Sequence, residues 1–366
     1  MNLSLVIDAR PLARGTGGIQ RYLKNLLPYL TCNDSFKLTL YSDHPIDISF
    51  LNDSQAVKIR YVPLRLGRSL SWHLMVCIWA AIDKPDVFWS PRHHLPFILP
   101  NKTKRVVTIH DFVWKTWPET MPKLQRSAEW ILMPFSLKTA NHIICISQTT
   151  QSQFRQFFPG LKARSTVILH GADIPNPRNE TKIANNPGYF LAVGTLEPRK
   201  NYQRLITAFD EYVKNEGTRN LIIVGKNGWG CAPVWESIEK SKNAERIEIL
   251  QTVSDDKLSE LYSNARGFIS PSLDEGYGLP PQEAMNYKLP LLLSDIDVYR
   301  ELYPSANLWV DPLSITELAL GLQQLEKIPK GKTIDSSVAK YGWADCAKMH
   351  IDVLLSSLQT DDIDPQ

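Results

Sequence analysis

Two glutamates with seven residues between them, Glu275 and Glu283, stand in the segment DEGYGLPPQEAMNYKLP. Their surroundings restrict what they can do. The apolar stretch GFISP before them reads as a strand, and two glycines follow it. Pro280 and Pro281 then occupy a helix start, where a missing N–H is not missed. On this reading Glu275 sits in the loop above the strand end, and Glu283, near the first turn of the helix, lies on the same side. Exposed N–H groups of Gly278 and Leu279 at that helix start suit a diphosphate. A carboxylate beside an anion site is misplaced unless it accepts hydrogen bonds from hydroxyls, such as a ribose diol offers. A helix-dipole partner and a solvated loop residue would explain either glutamate singly. They do not explain strand, glycine loop, prolines and helix together.

Three further segments carry groups of the same kind. In VGTLEPRKNYQRLITAF, Arg199 and Lys200 follow a strand end and could neutralise a diphosphate leaving group, although an Arg–Lys pair alone is usually solvated surface. In RPLARGTGGIQRYLKNLL, Gly15, Gly17 and Gly18 lie between a strand and a helix, where backbone can approach a phosphate closely. The pattern is not GxGxxG, and a tight turn explains it nearly as well. In VVTIHDFVWKTWPE, His110 and Asp111 close a strand. A lone histidine is more often structural, yet a strand-end histidine is placed to touch a reacting sugar. The His93–His94 pair has no metal-like pattern of partners. Of two Asp-x-Asp sequences, Asp295–Asp297 reads as a helix cap and Asp362–Asp364 lies in an acidic tail, so neither reads as a metal site.

These residues need a scaffold that brings strand ends together. A chain of 366 residues exceeds what one core usually serves, so two domains are expected. Short apolar strands alternate with helical stretches throughout, the mark of βα units and parallel sheets. LSLVI, KLTLY, VKIRYV, DVFWS, RVVTIH and HIICIS read as strands of a first domain, with helices over about 19–30 and 70–82. PNPRNETKIANNPG, residues 175–188, has no hydrophobic period and reads as a linker. Beyond it YFLAVG, NLIIVG, RIEIL, GFISP and LPLLLS form a second set, with helices from about 202, 234, 257 and 281. The domains are thus 1–175 and 176–342, with a last helical stretch over 343–366.

Composition excludes several classes. The opening MNLSLVIDAR lacks the basic head and cleavage site of a signal peptide, and the apolar run Leu74–Ile82 is too short to span a bilayer. Five scattered cysteines without a CxxC pair point to reduced thiols in a cytoplasmic protein. Residues 1–180 hold 22 lysines and arginines against 12 acids, and the remainder 19 against 26. A basic half suggests an anionic partner such as a membrane surface, a phosphorylated lipid or nucleic acid, and ordinary scatter of surface charge explains it about as well.

Together the four segments resemble family 4 of the retaining nucleotide-sugar glycosyltransferases, which have the GT-B fold: two Rossmann-like α/β domains whose open parallel sheets face a central cleft. The resemblance spans nearly the whole chain, and its most specific element is the E-x7-E motif, matched by Glu275 and Glu283. It implies that Glu283 holds the donor ribose and that Glu275 contacts the donor hexose near the reacting carbon. Lys200 and Arg199 would bind the diphosphate with the amides of Gly278 and Leu279. Gly17 and Gly18 would form a loop over the phosphates, and His110 would touch the donor sugar. The final helix would cross back to the first domain. No metal or cofactor is implied beyond the nucleotide sugar itself, and no nucleic acid.

One departure is that Thr195, where many relatives carry arginine, follows Gly194. GTLEPRKN with EGYGLP resembles the branch that builds bacterial surface polysaccharides. That implies a mannose or rhamnose donor, GDP-mannose foremost, and a glycan or lipid-linked oligosaccharide acceptor at the inner membrane face. Arg65, Arg68, Lys102, Lys104 and Arg105 are candidate contacts to it. A nucleotide-sugar epimerase or hydrolase, and a degenerate scaffold protein of the same fold, are the alternatives. A Rossmann dehydrogenase fits poorly without GxGxxG.

Overall fold

The computed structural model describes residues 3–13, 17–51, 57–61, 68–161, 163–172, 188–331 and 341–359. In chain order the elements are β1 (Leu3–Asp8), α1 (Arg10–Ala13), α2 (Gly18–Thr31), β2 (Phe36–Ser42), β3 (Lys58–Tyr61), α3 (Arg68–Asp83), β4 (Val87–Ser90), β5 (Lys104–Ile109), α4 (Val113–Thr116), α5 (Lys123–Thr139), β6 (His142–Cys145), α6 (Gln148–Phe157) and β7 (Arg164–Val167). There follow β8 (Tyr189–Val193), α7 (Tyr202–Lys214), β9 (Asn220–Val224), α8 (Ala232–Lys240), β10 (Ile247–Leu250), α9 (Asp255–Asn264), β11 (Gly267–Ser270), α10 (Leu279–Asn286), β12 (Leu291–Ser294), α11 (Asp297–Leu302), β13 (Leu308–Val310), α12 (Ile315–Lys327) and α13 (Trp343–Ser356). The chain forms two compact units. One holds 1–111, 127–171 and 342–366, the other 112–126 and 172–341. The linker expected over 175–188 falls outside the described residues except for Gly188.

The segment 112–126 is a departure from the sequence reading, which left it in the first domain by continuity. It is fastened within the second unit, where Thr116 donates to the Asp274 carboxylate and Trp229 Nε1 donates to the Thr120 carbonyl at 2.6 Å.

The first unit carries a seven-stranded, all-parallel sheet in the order β3-β2-β1-β4-β5-β6-β7. Strands buried on both faces need continuous apolar runs. Val6 and Ile7 in β1, Phe88 and Trp89 in β4, and Val106 and Val107 in β5 supply them, all fully buried. The step from β1 to β2 runs one way along the sheet, and the steps β3 to β4 and β5 to β6 run the other way. Right-handed crossovers therefore put α2 on one face and α3 with α5 on the opposite one. α13 lies beside α2, where the Tyr22 hydroxyl meets His350 Nε2.

The second unit holds a six-stranded parallel sheet in the order β10-β9-β8-β11-β12-β13. Leu205, Phe209 and Tyr212 of α7 and Leu318, Leu322 and Leu325 of α12 cover one face, packed on Phe190, Leu221 and Ile223. The chain leaves β8 outward to β9 and β10, then returns to β11 on the other flank of β8. The connections from β8 and from β11 therefore leave in opposite directions along the sheet, which makes the carboxyl ends of these central strands the switch point of the fold.

Backbones approach closely at this end. A Cβ on Gly225 would lie 1.9 Å from the Gly194 carbonyl oxygen, so only glycine fits there. Gly225→Ala is expected to destabilise the protein by on the order of 1–3 kcal/mol. Gly160→Ala, with nothing within 4 Å of the added methyl group, should leave the melting temperature unchanged. Thermal denaturation of the two variants checks this.

Candidate functional site

The second unit holds six of the expected residues, Arg199, Lys200, Glu275, Gly278, Leu279 and Glu283. The turn after β8 carries Arg199 and Lys200, and the loop after β11 carries Glu275. The two are joined along their backbones, since the Leu273 N–H donates to the Arg199 carbonyl at 2.8 Å. Asn201, in the left-handed region at φ 61, donates its side-chain amide to the carbonyls of Pro271 at 2.9 Å and Pro312 at 2.7 Å. The turn that presents the two cations is thus tied to two neighbouring loops.

Glu275 is buried and accepts from Arg199 Nη1 at 2.6 Å, from Lys200 Nζ and from the Ser272 hydroxyl at 2.8 Å. Arg199 also donates to Glu197 at 2.9 Å and to the Asp274 carbonyl at 2.6 Å. Burial alone would raise the Glu275 carboxyl. Arg199 and then Lys200 outweigh it and hold the group at about 2. Glu197 and Asn201 had not been singled out in the sequence. The left-handed turn that Asn tolerates was the available signal.

Helix α10 begins at Leu279, two residues before the expected start, so Glu283 stands in its second turn, not its first. Gly278 caps it at φ 94, and a Cβ there would lie 2.6 Å from the Tyr299 ring. Its carbonyl is held by the Tyr303 hydroxyl at 2.6 Å. The prolines at 280 and 281 then start the helix without an N–H to satisfy. Glu283 is buried and accepts from the Tyr262 hydroxyl at 2.8 Å, and Tyr262 stacks on Tyr287 with centroids 5.2 Å apart. The expected Asp295 cap is corrected. Ile296 occupies the cap of α11 without a side-chain bond, and Asp295 instead takes Arg300 Nε at 2.6 Å. Among the described residues no group of three or more acids, histidines or cysteines could hold a metal ion.

The remaining expected residues belong to the first unit. Gly17 and Gly18 follow β1 and open α2. Gly17 has extended backbone, φ 179, and a Cβ would meet nothing within 4 Å, so the unit's own packing does not require glycine there. The space suits close approach of a ligand, as does a helix start capped by no side chain. Gly15 lies outside the described residues. Next to this loop, buried Asp8 takes Arg10 Nη2 at 2.6 Å while the guanidinium lies 4.0 Å from the Trp72 ring centroid.

His110 directly follows β5, and its Nε2 meets the Pro91 carbonyl at 2.8 Å. That carbonyl can only accept, so Nε2 carries the proton and Nδ1 is an acceptor. Burial first, then His93, lowers the ring to about 3, which keeps it neutral across the physiological range.

Two parallel-sheet α/β units, one with a two-cation turn and two buried glutamates at its switch point, define the class as doubly wound α/β. Comparison with known proteins narrows it. Residues 173–338 match the family model "Glycosyl transferases group 1" and residues 16–175 the model "Glycosyltransferase Family 4". The chain belongs to the family 4 glycosyltransferases and has the GT-B fold.

It is 26% identical to O-antigen chain mannosyltransferase B of Escherichia coli over 95% of this chain and 98% of that protein. It is 26% identical to O-antigen chain mannosyltransferase RfbU of Salmonella typhimurium, over 77% of this chain and 78% of that one. Among solved structures, Anabaena HepE in complex with UDP and glucose superimposes with a TM-score of 0.72 at 17% identity, covering 97% of this chain and 100% of that one. WaaG, a glycosyltransferase involved in lipopolysaccharide biosynthesis, gives 0.68 at 16%, covering 98% of both chains.

Removing Glu275 leaves two buried cations facing each other. Glu275→Gln is expected to cost about 3–5 kcal/mol. The sign with pH follows from the depressed carboxyl. Its contribution is complete above the ordinary value of 4.5 and is lost as the pH falls toward about 2. Urea titrations between pH 7 and pH 3 should show the wild-type and Glu275→Gln stabilities converging at the acid end, and a constant gap would contradict the pairing.

Proposed function

We propose that this glycosyltransferase moves mannose from GDP-mannose, with retention at the anomeric carbon and without a metal, to a saccharide acceptor in surface polysaccharide assembly. The observation that carries the reading is the buried Arg199–Lys200–Glu275 cluster at the switch point, one loop away from Glu283 on α10. Two fixed cations and the N–H groups of Gly278 and Leu279 supply the charge that a departing diphosphate needs. Glu283 takes the ribose hydroxyls. Gly17 and Gly18 admit the phosphates to the backbone of the first unit, and His110 accepts from a hydroxyl of the transferred sugar. Glu275 faces the positive charge that develops on the sugar ring, while the departing phosphate oxygen takes the acceptor proton. The names of the mannosyltransferase relatives favour mannose over other hexoses.

Thermal shift against GDP, UDP, dTDP and ADP, with and without magnesium, tests the donor. Stabilisation by GDP alone, unaffected by magnesium and abolished by Glu283→Ala, is the expected pattern. Lys200→Ala should lower turnover about a hundredfold or more, and undiminished activity would remove the scheme. Consumption of GDP-mannose without any acceptor would favour an epimerase or hydrolase.

The proposal places the protein in the cytoplasm at the inner membrane face. Among the described residues no helix is long and apolar enough to cross a membrane. Lys102, Lys104 and Arg105 lie at the amino end of β5 and His110 follows its carboxyl end, about 20 Å away for a strand of this length. They are therefore candidates for the lipid and phosphate side of a lipid-linked acceptor, not for its saccharide. Arg65 lies outside the described residues, and of Arg68 only the backbone is described.

Close to these cations, Leu74, Ile78 and Ile82 form an exposed stripe at four-residue spacing along α3. His73 and Phe135 both touch the ring of Phe97, which links α3 to α5 and its exposed Ile131 across the exposed Phe97–Ile98 loop. Apolar residues beside lysines fit an anionic bilayer surface. Cosedimentation with phosphatidylglycerol vesicles should be salt-dependent and should fall in Leu74→Glu/Ile78→Glu. Equal binding to phosphatidylcholine vesicles, or loss of self-association in that variant, would point away from a membrane.

A further inference from the structure

We propose that Glu129, acting through His93, is a positioning residue that fixes the strand-end His110 at both its main chain and its ring. The inference rests on the role given to His110 above and adds a device that sets its state. Both clamps on His110 come from the loop after β4. The His110 N–H donates to His93 Nε2 at 3.1 Å, and His110 Nε2 donates to the Pro91 carbonyl at 2.8 Å. Glu129 reaches that loop from α5. Its buried carboxylate meets His94 Nε2 at 2.9 Å and faces His93 Nδ1 at 3.7 Å.

The hydrogen-bond inventory of imidazole then fixes two tautomers in series. To accept from a backbone N–H, His93 Nε2 must be bare, so the His93 proton sits on Nδ1, on the side of the Glu129 carboxylate. The reverse tautomer sets an N–H of His93 against the N–H of His110 and pushes the end of β5 away from the Pro91 carbonyl. His110 keeps its own proton on Nε2 only while that carbonyl is in place, and its Nδ1 is then an acceptor for a sugar hydroxyl. A carboxylate on a buried helix face is expensive, and two histidine N–H groups compensate it.

Acid breaks the same chain of contacts. A doubly protonated His93 has no lone pair for the His110 N–H. Burial opposes that charged form, Glu129 and Asp111 favour it, and Arg92 opposes it, with the ring left above its ordinary value; His94 and His110 also face His93, which in its charged form lowers both of them. Removing the carboxylate therefore makes His93 harder to protonate.

Nitrogen-15 labelling of histidine and long-range hydrogen–nitrogen correlation spectra report the tautomers directly, with assignments from single His→Gln variants. In the wild type His93 should carry its proton on Nδ1 and His110 on Nε2, and in Glu129→Gln both preferences should weaken. A wild-type His93 protonated on Nε2, or unchanged spectra in Glu129→Gln, would overturn the proposal. In transfer assays Glu129→Gln should lower kcat about ten- to a hundredfold at neutral pH and move the acid limb of the rate profile to lower pH. His93→Gln, whose amide oxygen can accept in place of Nε2 and cannot titrate, should retain activity and lose that limb. A purely structural role would lower the melting temperature in both variants and leave the limb in place.

GDP-induced stabilisation should be the same in all three proteins, because neither Glu129 nor His93 is among the residues assigned to the nucleotide. Its absence from the wild type would count against the donor reading, while the tautomer spectra would still decide the positioning role.

Discussion

A carboxylate buried between two cations governs the second unit. Glu275 has given up water, and its compensation is Arg199 and Lys200 together with the Ser272 hydroxyl. Such a cluster is favourable only when every member is held in register, since one missing partner leaves an uncompensated charge in a low-dielectric setting. Much of the local backbone serves that register. The Arg199 carbonyl is tied to Leu273, Asn201 takes a left-handed conformation to reach two other loops, and Gly225 lets the turn after β9 pass against Gly194. The charges at the strand switch are thereby fixed in place by the fold itself.

The first unit solves a different problem with neutral groups. His110 is surrounded by His93, His170 and Tyr22, with ring centroids 5.8, 6.2 and 5.5 Å away. Burial keeps His110 and His350 uncharged, the latter at about 4. A neutral imidazole of defined tautomer reads hydroxyl groups by direction, which a cation does not do. The second unit thus buries its polar cluster by pairing charges, and the first by keeping its imidazoles neutral.

Much of this was legible because the pattern and the chemistry coincide. Period-two and continuous apolar runs marked eleven strands, and the glycine–proline punctuation at 276–281 marked the start of α10 to within two residues. What escaped did so for physical reasons. β7 is RSTV and β13 is LWV, edge strands too short or too polar to show a pattern. α5 carries Pro134 in its interior, and α6 is QTTQSQFRQF, amphipathic but poor in apolar residues. Tertiary packing holds both, as where Phe154 of α6 is buried. Of the site, the charged residues were readable by type. Their partners were not, because Glu197, Asn201, Ser272 and Tyr262 become meaningful only when three loops converge.

The same distinction explains why Glu129 gave no signal. It lies in KLQRSAEWILMPFSLKT, where any reader would place an isolated glutamate on the solvated face of a helix. The fold instead turns it inward, because α5 lies across the loop that follows β4, where His93 and His94 present two N–H groups to one carboxylate. Desolvation raises the carboxyl, but the two histidines hold it well below the usual carboxylate range, so it stays ionised. An ionised group in that position imposes a direction on every proton between α5 and the end of β5. A glutamine of the same shape would fill the space and make hydrogen bonds, but it could accept or donate with nearly equal ease. What the charge adds over the shape is the choice of tautomer, and that choice decides whether His110 Nδ1 carries a lone pair or a proton.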